Sequence, residues 1–235
     1  MKLHCKTLGE GRPLLILHGL LGSGDNWAAI ARALSAYGFA VTTIDQRNHG
    51  RSPHDASMDY RCMAEDLQEL IVANSWENPV LLGHSMGGKT AMFHLQLFPG
   101  IAEKLIVADI APRYYPPHHA AVFSALHAAD LTVLTSRKAV EDALRSKLTE
   151  ETVVQFLLKN LYWNEQEKLA WRFNLPVIES HIEDISAALP NTPVVHQPVL
   201  FLRGEHSGYI RASDIPVIRQ LFPNAEVETV SGAGH

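Results

Sequence analysis

Cysteine is scarce in this chain of 235 residues: Cys5 and Cys62 allow one disulfide at most, and no C-x-x-C or other metal-ligand spacing accompanies them. They read as reduced, buried thiols. Long apolar runs are missing too. Runs such as "PLLIL" and "VLFL" are far too short to span a bilayer. The N-terminal "MKLHCKTLGEGRPLLIL" has no secretory apolar region followed by a small-residue cleavage site, so no membrane span and a cytoplasmic location are expected. Charge of one sign does not accumulate either. Twenty Lys and Arg against 25 Asp and Glu leave a net −5, which argues against nucleic acid or an anionic membrane as partner. The 13 histidines are scattered. His118 and His119 are adjacent and so share no helix face, and no H-x-x-x-H pairs with an acidic residue, so no metal is expected.

What is present is an alternation of short apolar runs with longer amphipathic ones, the pattern of strands and helices wound into a parallel sheet. "PLLILHG", "FAVTTID", "PVLLG" and "KLIVADI" read as buried strands. Between them, residues 26–37 place Trp27, Ile30, Ala31 and Leu34 at helical spacing, and residues 59–73 place Tyr60, Met63, Ala64, Leu67, Leu70 and Ile71 on one face. From Pro112 to about Pro190 the rhythm stops. Helix-like segments near 119–130, 136–148 and 150–160 are too apolar for a linker, so a folded helical insertion is expected. The alternation returns with "QPVLFLRG", a short helix over 214–222 and "AEVETV". There are no internal repeats and no low-complexity segments.

Residues 83–90, "GHSMGGKT", hold two incompatible motifs. Gly83, Ser85 and Gly87 spell G-x-S-x-G, the strand-to-helix turn that presents a nucleophilic serine. Gly83, Gly88, Lys89 and Thr90 spell the phosphate-cradling G-x-x-x-x-G-K-T. Position decides between them. A phosphate loop most often follows the first strand of its domain, whereas two strand–helix units precede this octet, and nothing further along supplies an arginine finger or a basic phosphate channel. The serine reading, in contrast, finds its other parts. "HGLLGSGDNW" follows the first long strand, with Gly19 freeing a turn and Leu20 offering a backbone N–H to an oxyanion, alongside that of Met86. "SGAGH" places His235 after the last strand as general base, and Asp109 lies between serine and histidine in the order such a site uses. Lys89 and Thr90 are then ordinary residues of the helix behind the serine.

Together these stretches resemble a known family. "HGLLGSGDNW", "DQRNHGRSP", "GHSMGGKTAM", "DIAP", "FLLKNL", "WRFNLPVI" and "GAGH" are similar to those of α/β-hydrolase-fold serine esterases, specifically the small bacterial YbfF-type esterases and their mitochondrial abhydrolase relatives. The resemblance spans nearly the whole chain. It implies an α/β-hydrolase fold, a mostly parallel central sheet flanked by helices, with core segments at 1–111 and 191–235 and a helical cap at 112–190. It also implies hydrolysis of carboxylic esters or acyl thioesters of short to medium chain length, acyl-CoA among them, with no cofactor. A small-molecule substrate is then the partner, and a monomer is the default expectation.

The sequence departs from the general pattern of this fold in two places. The loop after "PVLFLRG" commonly carries the acid as G-x-x-D, but here reads "GEHSGYI", with Ser207 in that position. Asp109 is the natural substitute, as "DIAP" in this subfamily suggests, and Glu205 is the alternative. The relatives also continue beyond the histidine into a final helix, which a chain ending at His235 lacks, so a truncated form is expected. Four residues are candidates for substrate contact. His18 stands in the oxyanion loop, where it could equally be a structural hydrogen-bonder. Arg113 stands at the cap entrance, and Phe156 and Trp163 belong to an aromatic set more often used for cap core than for pocket lining. A carbon–carbon hydrolase or lyase of the same fold, and a non-enzymatic sensor of a small ligand, are the alternative functions.

Overall fold

The computed structural model describes residues 1–235. The chain opens with β1 (Cys5–Leu8) and β2 (Arg12–Leu17), passes through a 3-10 turn into α1 (Ala28–Ser35), and continues with β3 (Phe39–Ile44), α2 (Tyr60–Ala73), β4 (Val80–His84), α3 (Met86–Leu97) and β5 (Lys104–Ala108). Five helices follow: α4 (Ala120–Ala128), α5 (Arg137–Arg145), α6 (Glu151–Leu158), α7 (Leu175–Ser180) and α8 (Ile182–Ser186). A hairpin of β6 (Leu161–Trp163) and β7 (Leu169–Trp171) sits between α6 and α7. The chain then returns through β8 (Val199–Gly204), α9 (Ile215–Leu221) and β9 (Ala225–Val230).

Seven strands form one sheet in the order β1-β3-β2-β4-β5-β8-β9. Only the β1–β3 pair is antiparallel. Strand residues alternate between two faces, as a pleated sheet requires. Leu15, Leu17 and Leu81 face a core of 46 buried residues shared with α2, α3 and α9, while Leu14, Ile16, Val80 and Leu82 face a smaller cluster with Ala31 of α1. Helix α2 begins where the Asp59 carboxylate accepts from the Cys62 N–H at 2.8 Å, an N-cap that satisfies an otherwise orphaned donor. It buries the face its sequence spacing indicates, and Leu67, fully enclosed there, contributes about 2–3 kcal/mol.

Strands β3 and β4 flank β2 on opposite sides, so the chain crosses over β2 between them. The connections leaving β2 and β4 therefore diverge at the carboxyl edge, which opens a crevice where ligands of such sheets bind.

Three details depart from the sequence reading. Ile30 is exposed, and Ala31 is the residue of α1 that packs inward. Strand β1 and the β6–β7 hairpin carry no apolar-run signal: each strand has three or four residues, and β1 is an edge strand with three of its four exposed. No helix is long and apolar enough to cross a membrane.

Candidate active site

Ser85 occupies the single residue between β4 and α3, at φ 51° and ψ −119°. A side chain in that region is strained, and the strain lifts the hydroxyl out of the strand axis. The turn closes because Gly83 has no side chain: a Cβ there would lie 2.3 Å from the Gly87 carbonyl oxygen. Positive φ recurs at Leu21, Asn48 and Asp109, so the connections leaving β2, β3, β4 and β5 each hold one such residue near this edge. Clustered strain of this kind marks sites held by the surrounding fold.

Asp109 follows the last residue of β5, one strand over from the serine. His235 bridges the two. Its Nδ1 lies 2.7 Å from Asp109 Oδ2 and its Nε2 lies 3.1 Å from Ser85 Oγ. An ionised carboxylate only accepts, so Nδ1 carries the proton and Nε2 is left to accept from the serine hydroxyl. Asp109 also accepts from the Gly204 N–H at 3.1 Å and from the Ser207 hydroxyl. Burial pushes the Asp109 carboxyl up, but the hydrogen bonds from His235, Ser207 and Gly204 outweigh it and hold the group below its ordinary value. Ser207, the alternative position in the loop after β8, thus donates to Asp109 instead. Glu205 points elsewhere, accepting from the Ser231 hydroxyl at 2.8 Å and the Gly232 N–H at 2.7 Å.

The loop after β2 sits tightly against the serine. A Cβ on Gly19 would lie 2.9 Å from His84 Nδ1 and 3.3 Å from Ser85 Cβ, so close approach is what this glycine provides, while the positive φ falls at Leu21. The N–H groups of Leu20 and Met86 have no protein acceptor. His18 is not a substrate contact. It is 1% exposed, its Nε2 accepts from the Gln46 N–H at 3.0 Å, and its Nδ1 donates to the Gly19 carbonyl at 2.7 Å. Burial lowers its pKa to about 4 and keeps it neutral. The Gly19 carbonyl belongs to the same peptide as the Leu20 N–H, and in a trans peptide the two point in opposite directions. His18 therefore fixes the direction of that N–H from behind. His49 does the same for the next residue, accepting from Leu21 N–H at 3.1 Å.

A small, open cleft lies over Ser85, and seven of its 12 lining residues are hydrophobic, so its walls suit an apolar chain. Leu20, Met86, Ile110 and Ile185 are among them. Residues with no sequence signal also line it: Tyr115, His118 and His119 from the stretch before α4, Ser186 from α8, and Tyr209 from the loop after β8. Their signal is only tertiary, since separate loops converge here. Lys89 is more than an ordinary helix residue. It is 1% exposed, lines the cleft, and donates Nζ–H to the carbonyls of Ala187 at 2.5 Å and Ser186 at 3.3 Å. Burial, with Arg113 as a smaller cause, lowers its pKa to about 7. With Nζ committed to these carbonyls and Thr90 bonded to Met86 O, the octet does not present a phosphate cradle.

Three further expected contacts fall outside the cleft. Arg113 pairs with Asp214 at 3.1 Å and stacks over Tyr115. Phe156 packs against the core, and Trp163 is 55% exposed on the hairpin. Aromatic type alone did not separate lining from packing. The "DQRNHG" turn is scaffold: Asp45 accepts from Gly24 N–H at 2.7 Å and Arg47 pairs with Asp66 at 2.6 Å.

A family described as alpha/beta hydrolase fold matches residues 12–235. The chain belongs to this family. It is 41% identical over 232 residues to an sn-1-specific diacylglycerol lipase ABHD11 of Xenopus laevis, covering 96% of this chain and 74% of that protein. It is 35% identical over 224 residues to Esterase YbfF of Escherichia coli, covering 95% and 85%. Among solved structures, a marine microorganism esterase superimposes with a TM-score of 0.97 at 45% identity, over 100% of this chain and 92% of the other.

Proposed function

We propose that this member of the α/β-hydrolase fold family is a serine esterase that cleaves carboxylic esters through an acyl-enzyme. The observation that carries the reading is His235 set between Ser85 Oγ at 3.1 Å and Asp109 at 2.7 Å. As Ser85 Oγ bonds to the acyl carbon, its proton passes to His235 Nε2 and the carbonyl electron pair moves onto oxygen. The Leu20 and Met86 N–H groups receive that oxyanion, each contributing about 3 kcal/mol to the barrier reduction. Collapse expels the alcohol, which takes the proton from His235, and water attacks the acyl-enzyme by the same route. Esterases and lipases among the relatives support the reaction class.

The finer assignments belong to the same proposal. Residues 112–190 act as a cap, since Tyr115, His118, His119, Ile185 and Ser186 from that segment line the cleft above the serine. The apolar walls suit short to medium acyl chains, and a thiol leaving group, including coenzyme A, uses the same steps. No arginine lines the cleft, so the lyase alternative finds no anchor for a charged substrate.

The test is a chain-length panel of aryl esters and acyl-CoA thioesters with the wild-type protein and Ser85→Ala. Wild-type kcat/KM is expected to rise over the first few carbons, because each buried methylene contributes up to ~0.8 kcal/mol, and then to fall. Ser85→Ala is expected to hydrolyse nothing above background and to lose fluorophosphonate labelling. An alanine variant that retains most of its activity would refute the proposal.

A further inference from the structure

The loop after β8 supplies no carboxylate to the site, yet two of its side chains turn toward it. Ser207 Oγ donates to Asp109, as described above, and also accepts from the Tyr209 N–H at 3.2 Å. Two residues on, the Tyr209 ring lies flat on the His235 imidazole, with centroids 3.6 Å apart and planes 8° apart. Tyr209 also stacks with Tyr115, centroids 5.4 Å apart. Its backbone carbonyl accepts from the Tyr115 hydroxyl at 2.5 Å, and its own hydroxyl lies 2.5 Å from His118 Nε2. His118 Nδ1 lies 3.1 Å from the Pro116 carbonyl and so carries the ring proton, which leaves Nε2 to accept from the phenol. The ring is therefore held on several sides with its face against the imidazole. A phenol that donates its proton into a hydrogen bond also gains electron density in its ring.

We propose that Tyr209 is a positioning residue for His235 whose ring face stabilises the imidazolium formed when the serine proton arrives. The proposal rests on the serine-esterase reading of the site. A cation over an aromatic face is attracted by the ring quadrupole, whereas the neutral imidazole gains little from it. The interaction is thus stronger in the transition state than in the resting enzyme, which is the condition for lowering the barrier. It also accounts for the composition of "GEHSGYI". A loop that gives up the acid still contributes one hydroxyl to steady the relocated acid and one ring to steady the base.

The test compares Tyr209→Leu, which keeps bulk without a π face, Tyr209→Phe, which keeps the face, and a pentafluorinated phenylalanine at the same position. The fluorinated ring keeps the shape and reverses the sign of the face, so it separates electrostatics from packing even if the leucine variant folds poorly. The readouts are aryl-ester kinetics and the His235 pKa from NMR titration of its ring protons. Other groups facing His235 are Asp109 beyond β5, His84 and Ser85 at the end of β4, and His119 before α4, and all of them stay in place. The leucine and fluorinated variants are expected to lower the His235 pKa by about one unit and kcat by about tenfold. The acid limb of kcat/KM then moves to lower pH by the same amount. Tyr209→Phe, which keeps the face but loses the bond to His118, is expected to lower the His235 pKa and kcat less than either of the other two variants. An unchanged His235 pKa in the leucine and fluorinated variants, or an equal fall in the phenylalanine variant, overturns the proposal. The titration does not require turnover, so it is decided separately from the esterase reading, which fails if the wild-type protein hydrolyses no ester.

Discussion

Asp109 is where a single charge matters most. Its carboxyl stays ionised at neutral pH because the hydrogen bonds converging on it outweigh the effect of burial, and in the proposed reaction the imidazolium of His235 would form directly against it. Asp109→Asn keeps the shape but removes the charge and allows the wrong imidazole tautomer, so kcat is expected to fall by roughly a thousandfold or more. Glu205→Gln should stay within about threefold, because an amide oxygen can still accept from Ser231 and Gly232. Steady-state kinetics of the two variants decide the matter, and the reverse ranking would return the acid to the later loop. The convergence of Ser85, Asp109 and His235 is legible in sequence because the proposed nucleophile, acid and base must be of particular residue types at particular strand ends. His18 shows the limit of that legibility. Its residue type suits substrate contact as well as scaffold, and only the two backbone groups that occupy its nitrogens distinguish them.

At the scale of elements, the connection that matters is between the helix behind the serine and the segment above it. Lys89 stands one turn after Ser85 on α3, and its amine holds the carbonyls of Ser186 and Ala187 at the end of α8. Lys89→Met fills a similar volume but leaves both carbonyls without that donor, at a cost of about 1–3 kcal/mol for an unmet buried group. The Tm is expected to fall by several degrees and KM to rise several-fold, while kcat changes by less than about threefold, because the Ser85–His235–Asp109 geometry does not pass through Lys89. Thermal melts and ester kinetics check this, and a variant identical to wild type in both would reduce Lys89 to a bystander. The buried strands were readable from apolar runs, since a strand covered on both faces has no polar positions to interrupt it. The cleft wall facing the serine was not readable. Tyr115, His118, Ile185 and Tyr209 come from short loops and a five-residue helix, where no period exists and only the folded chain brings them together.

For the molecule as a whole, the same buried imidazoles that set the scaffold make its stability depend on pH. His18, His84 and His94 have pKa values lowered from 6.5 to about 4, and His49 to about 3, in each case chiefly by burial. In the unfolded chain these groups protonate near 6.5, whereas the folded protein resists protonation until about 4 or 3. Between those values the unfolded state binds more protons, so stability is fully present above 6.5 and is lost as pH falls through that window. Each group adds a slope of up to ~1.4 kcal/mol per pH unit. Four of them together can consume most of a typical 5–15 kcal/mol within about two units. The Tm is therefore expected to drop steeply below about pH 6.5, before most carboxylates titrate, while above about pH 7 the lowered pKa of Lys89 adds a further gentle rise with pH. His94→Gln, which lies away from the serine and can still reach Gln68, should make the drop shallower. Melts from pH 8 to pH 4.5 test this. A Tm that holds constant down to pH 4.5 would mean that the folded protein takes up these protons freely, and that the histidines around β2 and β3 do not stay neutral behind the loop after β2.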